Sequence, residues 1–94
     1  MGKSMTQNEI ETLLITLILE IQKASGRPLA DLNPDSCPLL DVPGFDSLNG
    51  VEVTVDILDK LKLDLEFNNV LVDKDKPLTI KDAAARLVQC LVAV

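Results

Sequence analysis

Ser47 is the residue best placed to do chemistry. In the stretch Gly44-Phe45-Asp46-Ser47-Leu48-Asn49-Gly50 it stands where a proline-rich loop gives way to apolar residues at helical spacing, and Asp46 before it is a good N-cap. That puts Ser47 at the first position of a helix, where unpaired backbone N–H groups point outward and the helix dipole favours negative charge. A phosphate ester on the hydroxyl would be well placed there. The other chemistry open to a serine is nucleophilic catalysis, which needs a base, usually His, and in a nucleophile elbow a glycine two residues away on each side. This chain has no His, and Gly44 and Gly50 each stand three residues from Ser47. Lys60 and Lys62 lie three or more turns further along. The carboxylates Glu52, Asp56 and Asp59 are expected on a solvated strip rather than in the enclosed cleft that acid–base catalysis uses. Cys37 and Cys90 have no His to complete a zinc set, so they read as free thiols and no metal centre is expected. Ser47 is therefore a serine that is modified or bound, in a chain that is not itself an enzyme.

The elements around it follow from spacing and caps. Thr6 with Glu9 is a capping-box signature that opens a helix to about Ser25, with Gly26 as the stop. Ile10, Leu13, Leu14, Leu17, Ile18 and Ile21 form its apolar face, Ile15 and Leu19 widen it, and Glu11 and Glu20 point elsewhere. From Arg27 to Phe45, prolines at 28, 34, 38 and 43 leave room for a single helical turn, starting at Asp31-Leu32 or Asp35-Ser36. Leu29, Leu32, Leu39, Leu40, Val42 and Phe45 are expected to pin this long connector across the end of a bundle. A second helix runs from Ser47 to about Lys62. Its apolar residues Leu48, Val51, Val53, Val55, Ile57, Leu58 and Leu61 sweep over half the circumference, which predicts burial against several neighbours and leaves Glu52, Asp56 and Asp59 as a narrow acidic edge. Leu63-Asp64-Leu65-Glu66-Phe67 alternates as a strand does, but a short helix around Asn69 to Lys74 is the favoured reading of the next segment. Thr79, with Asp82, caps a last helix that buries Ile80, Ala83, Ala84, Leu87, Val88 and Leu91. The predicted fold is all-α: one four-helix domain over residues 1–94, with three main helices, a short third helix, a long loop between the first two, and residues 1–5 disordered.

Totals exclude several classes. With two Phe and no Trp or Tyr, the core must be aliphatic, and such a core parts easily. Nine acids and two bases lie between Asp31 and Glu66, so the negative charge is concentrated in the middle of the chain. That argues against nucleic acid and for either a basic partner or a purely solvated face. No apolar run approaches the roughly 20 residues needed to span a bilayer, and no secretory signal opens the chain, so a cytoplasmic monomer without stable membrane insertion is expected. Met1-Gly2-Lys3-Ser4-Met5-Thr6 matches a loose myristoylation pattern, but Thr6 already has a capping role.

Asp46-Ser47-Leu48, preceded by Gly44-Phe45 and followed by a helix bearing Glu52 and Asp56, resembles the phosphopantetheine attachment site of acyl carrier proteins. The order of elements from Thr6 to Leu91 resembles that family as well, including the Thr79-Ile80-Lys81-Asp82-Ala83-Ala84 opening of the last helix. The resemblance implies an acyl-carrier bundle with a 4′-phosphopantetheine arm on Ser47, donated by coenzyme A through a phosphopantetheinyl transferase. Acyl groups would ride on the arm as thioesters and be presented to fatty-acid, polyketide or lipid-modifying enzymes: acyl-transferring enzymes, synthases or ligases with basic patches. It further implies partner recognition by Asp46, Leu48, Glu52, Asp56 and Asp59, and shelter for the acyl chain among Val51, Val55, Ile80 and Ala84. Departures are Asn49 where fatty-acid carriers have an acid, Gly50 where a larger residue is common, and a longer segment after Leu65; they favour a specialised carrier over a housekeeping one. A peptidyl or D-alanyl carrier shares these features, and a helical interaction module without a prosthetic group is the competing class.

Overall fold

The computed structural model describes residues 5–63 and 68–93, and the protein is mostly helical. The first helix, α1 (Gln7–Ala24), starts where the capping box was expected: Glu9 N donates to Thr6 Oγ1 (3.2 Å) and Thr6 N donates to Glu9 Oε1 (2.9 Å). It ends as Gly26 takes φ +68°, a left-handed conformation that glycine adopts without strain, and Arg27 N returns to the Gln22 carbonyl. Ile10, Leu14, Leu17 and Ile18 are buried, with Leu13, Ile15 and Ile21 at the edge of the core. Glu11 corrects the expected pattern: it is buried, and its carboxylate accepts from Gln7 Nε2 (3.1 Å), a local partner that replaces lost water. The last helix, α4 (Ile80–Ala93), is capped by Thr79, whose Oγ1 accepts from Asp82 N (3.1 Å). It buries Ile80, Ala83, Ala84 and Leu87, and the two alanines let its backbone come close; α1 packs against α4 and against α3 (Ser47–Leu61).

The connector departs from expectation in where it turns. Its single helical turn is α2 (Pro38–Asp41), not one at Asp31 or Asp35. Pro38 at the first position has φ preset and no N–H to satisfy, and the Asp41 carboxylate accepts from Cys37 N (2.7 Å). At 33–36 side chains compete for the backbone instead: Asn33 Oδ1 accepts from Asp35 N (2.8 Å) and Ser36 Oγ accepts from Asn33 N (3.0 Å). Only part of the expected apolar pinning holds, since Val42 and Phe45 are buried while Leu29 and Leu40 are exposed. Polar groups do the rest. Fully buried Gln22 donates through Nε2 to the carbonyls of Pro28 (3.0 Å) and Pro43 (2.8 Å), and the carbonyls of Ser36 and Pro34 accept from the first N–H groups of α4, Ile80 (2.9 Å) and Lys81 (2.8 Å). The loop thereby caps one helix while hanging from another.

The short helix expected at Asn69 to Lys74 is not formed. A hairpin stands there, β1 (Val72–Asp73) antiparallel to β2 (Lys76–Pro77), with Val72 opposite Pro77 and Asp73 opposite Lys76. Its two turn residues, Lys74 and Asp75, both take positive φ (49° and 69°), the geometry that a two-residue hairpin turn demands. Asn69 blocks a helix at its start by accepting Leu71 N on its own side chain (3.0 Å). Val70 and Leu71 nonetheless pack fully inward, and Arg86 of α4 donates to the carbonyls of Val72 (2.8 Å) and Val70 (3.4 Å). The alternation after Leu63 lies at 64–67, outside the described residues, as do residues 1–4 of the myristoylation pattern and of the segment expected to be disordered. Met5 is partly buried against the core.

Candidate functional site

The approach to Ser47 is built by backbone geometry. Gly44 has φ +73°, a left-handed conformation that glycine takes without strain, and the Arg27 side chain lies against it. Phe45 is buried, which fixes the direction of entry into α3. Asp46 caps the helix as expected. Its Oδ1 accepts from Asn49 N (3.1 Å), and Asn49 Oδ1 accepts from Asp46 N (3.2 Å), a complete box with Asn where Glu or Gln is usual. Asn49 N and Gly50 N are thus satisfied by Asp46, whereas among the described residues the N–H groups of Ser47 and Leu48 have no acceptor. Ser47 itself is exposed. An exposed hydroxyl beside two outward N–H donors at the positive end of a helix dipole is a setting that suits an attached phosphate.

The helix presents a different surface from the one its composition predicts. Gly50, Val53, Thr54, Ile57, Leu58 and Leu61 turn inward. Leu48 is 72% exposed, Val55 63% and Val51 40%, so these three do not join the core. The apolar sweep overcounts burial because the face of α3 that carries Leu48, Val51 and Val55 is left exposed. Its solvent face carries two lines, Leu48, Val51 and Val55 beside Glu52, Asp56 and Asp59, all exposed. The residues expected to line an acyl pocket are divided by this geometry: Val51 and Val55 face solvent, while Ile80 and Ala84 are wholly buried. Lys60 and Lys62 are exposed at the far end of α3, about 20 Å from Ser47 at the helical rise. Cys37 and Cys90 are free thiols, partly buried, and no group of three or more potential ligands among the described residues could hold a metal ion.

Four side chains that support Ser47 were not singled out as its partners by the sequence. Arg27 donates to the Gly44 carbonyl, to Asn49 Oδ1 (3.1 Å) and to Ser25 Oγ (3.0 Å). Asn49 passes the chain of hydrogen bonds on, Nδ2 donating to Glu52 Oε1 (3.1 Å). Asn69 Nδ2 donates to the carbonyl of Ser47 itself (3.2 Å), and its amide lies against Gly50 so closely that a Cβ there would collide with it. Thr54 Oγ1, fully buried, donates to the Gly50 carbonyl (2.7 Å) and accepts from Val70 N (2.8 Å). The Asp-x-x-Asn spacing of 46 and 49 is a legible capping-box variant; the contacts of Arg27 and Asn69 with the start of α3, and of Thr54 with Val70, are long-range and leave no local signal.

Compared with protein-family models, with curated proteins and with solved structures, the chain matches none.

Proposed function

We propose that the protein is a discrete acyl carrier of the bundle type described for acyl carrier proteins, holding acyl intermediates as thioesters on a 4′-phosphopantetheine arm attached to Ser47. The observation that carries the reading is the exposed Ser47 hydroxyl at the first position of α3, beside the two N–H groups without acceptors. When bound, the arm would supply the thiol on which acyl groups are held. In its attachment the Ser47 oxygen forms a P–O bond to the pantetheine-bearing phosphate of coenzyme A as the bond to the adenosine bisphosphate breaks. With no His in this chain, the serine proton goes to a base on the transferase. The N–H groups of Ser47 and Leu48 would hold the phosphate of the attached arm, and Asp46 keeps the helix start rigid. Asp46, Leu48, Glu52, Asp56 and Asp59 are all exposed and form the side offered to transferases and acyl-handling enzymes with basic patches. The hairpin at 72–77 replaces the short third helix of the family resemblance, a departure that fits a specialised carrier.

The test is mass spectrometry after incubation with coenzyme A and a broad-specificity phosphopantetheinyl transferase. A mass gain equal to one arm is expected in the natural protein and none in Ser47→Ala. No gain in the natural protein would overturn the reading in favour of an interaction module, for which the apolar and acidic lines of α3 are equally available. A gain that survives Ser47→Ala would move the site.

A further inference from the structure

The first turn of α3 is latched on both flanks. On one, the largely buried Asn49 side chain accepts from Arg27 and Asp46 and donates to Glu52. On the other, Asn69 holds the Ser47 carbonyl and fills the space over Gly50, and one turn further Thr54 ties the Gly50 carbonyl to the N–H of Val70. Beneath these bonds Val53, Ile57, Val70, Leu71, Ile80 and Ala84 are wholly buried. Among the described residues, an aliphatic chain entering the core beside the first turn of α3 would pass one of these two flanks. On the Asn69 side it would part α3 from residues 70–71 and leave the Val70 N–H without its acceptor in an apolar interior, an unfavourable state for a buried donor, while the Thr54 hydroxyl keeps only its bond to the Gly50 carbonyl. On the Asn49 side it would break the capping box and strip Arg27 of an acceptor. The aliphatic core expected to part easily is therefore held closed by polar fixtures on both described flanks of the first turn of α3.

We propose that this molecule carries its cargo outside the core: Asn69, acting with Gly50 and Thr54, shuts the flank of α3 next to Ser47, and the cargo class is short or polar acyl groups rather than long aliphatic chains. This rests on the carrier reading. A long alkyl chain held in water forgoes the burial of every methylene, whereas a short or polar group forgoes little, so exclusion from the core selects the cargo.

The test loads the full chain from butyryl-, octanoyl- and palmitoyl-coenzyme A with the same transferase and confirms each product by mass. Two quantities are then read: the rate of thioester cleavage by hydroxylamine, and the backbone amide NMR shifts of Val53, Ile57 and Leu87. The expected result is the same cleavage rate for all three forms and core shifts that do not move with chain length. Slower cleavage of the longer thioesters, or core shifts that follow their length, would overturn the proposal while leaving the carrier reading standing. No mass gain at all would overturn both. In Asn69→Ala, with helical content checked by circular dichroism, length-dependent protection should appear; its absence would remove Asn69 as the latch. The comparison in the natural protein stands whether or not that variant folds.

Discussion

At position 50 the usual effect of helix propensity reverses. Replacing a glycine inside a helix by alanine ordinarily gains about 1 kcal/mol. Here the added Cβ meets the Asn69 amide, which is engaged with both the Ser47 carbonyl and Leu71 N. Gly50→Ala is expected to lower stability in urea despite the better propensity, and Asn69→Ala to lower it through the lost bonds. The double variant should be more stable than the two losses added together, because removing the amide clears the space that the methyl needs. Additive losses in the denaturation midpoints would show that the two side chains do not meet. Asp46 is a plainer case: its carboxylate accepts one N–H of the first turn, so Asp46→Ala should cost about 1 kcal/mol by the same measurement, whatever its part in recognition.

Among the elements, the hairpin region is held to α3 by Thr54, and the substitution that isolates this is Thr54→Val, nearly identical in shape. It leaves the Val70 N–H buried without a partner and releases the Gly50 carbonyl, so a loss of roughly 1–3 kcal/mol is expected, read by chemical denaturation. Hydrogen exchange should show the Val70 N–H protected in the natural protein and exchanging faster in Thr54→Val, and unchanged exchange in that variant would contradict the docking described. Elements whose starts are decided locally were legible in the sequence: Thr6 with Glu9, Asp46 before Ser47 and Thr79 with Asp82 mark α1, α3 and α4 because a cap is a contact within one turn. The hairpin was not, since Lys74 and Asp75 give no glycine signal for positive φ and an apolar Val70-Leu71-Val72 run reads equally as helix. The breadth of the α3 stripe also misled. Periodicity counts apolar residues but does not say how many neighbours a helix has, and Leu48, Val51 and Val55 are the residues left facing out. Ser47 and its acidic companions were visible from types and spacing, whereas Arg27 and Asn69, each 22 residues from the side of α3 that they touch, were not.

For the whole molecule the decisive property is where the charge lies. The net charge of −6 arises in the middle of the chain, and α3 displays Glu52, Asp56 and Asp59 on one exposed face with Ser47 at its positive end. A field of this kind orients an approaching basic surface before contact, raising the rate of encounter far more than the strength of the final complex, and salt screens it. On the carrier reading proposed above, reversing Glu52 and Asp56 to Lys should therefore slow loading of Ser47 on the order of tenfold at low salt, with the difference from the natural protein shrinking as salt rises. The fold should persist, because both side chains are exposed and the bonds that latch the helix start run through Asp46, Asn49 and Asn69. Glu52 also accepts from Asn49 Nδ2, so the single reversals separate two roles. Asp56→Lys alters the field alone, while Glu52→Lys alters the field and frees Asn49. If both slow loading equally and both effects fade with salt, steering accounts for them. A slower rate in Glu52→Lys that persists at high salt would instead mean that the Asn49 link positions Ser47 for the reaction, and an unchanged rate in the double reversal would take the acidic line out of recognition altogether.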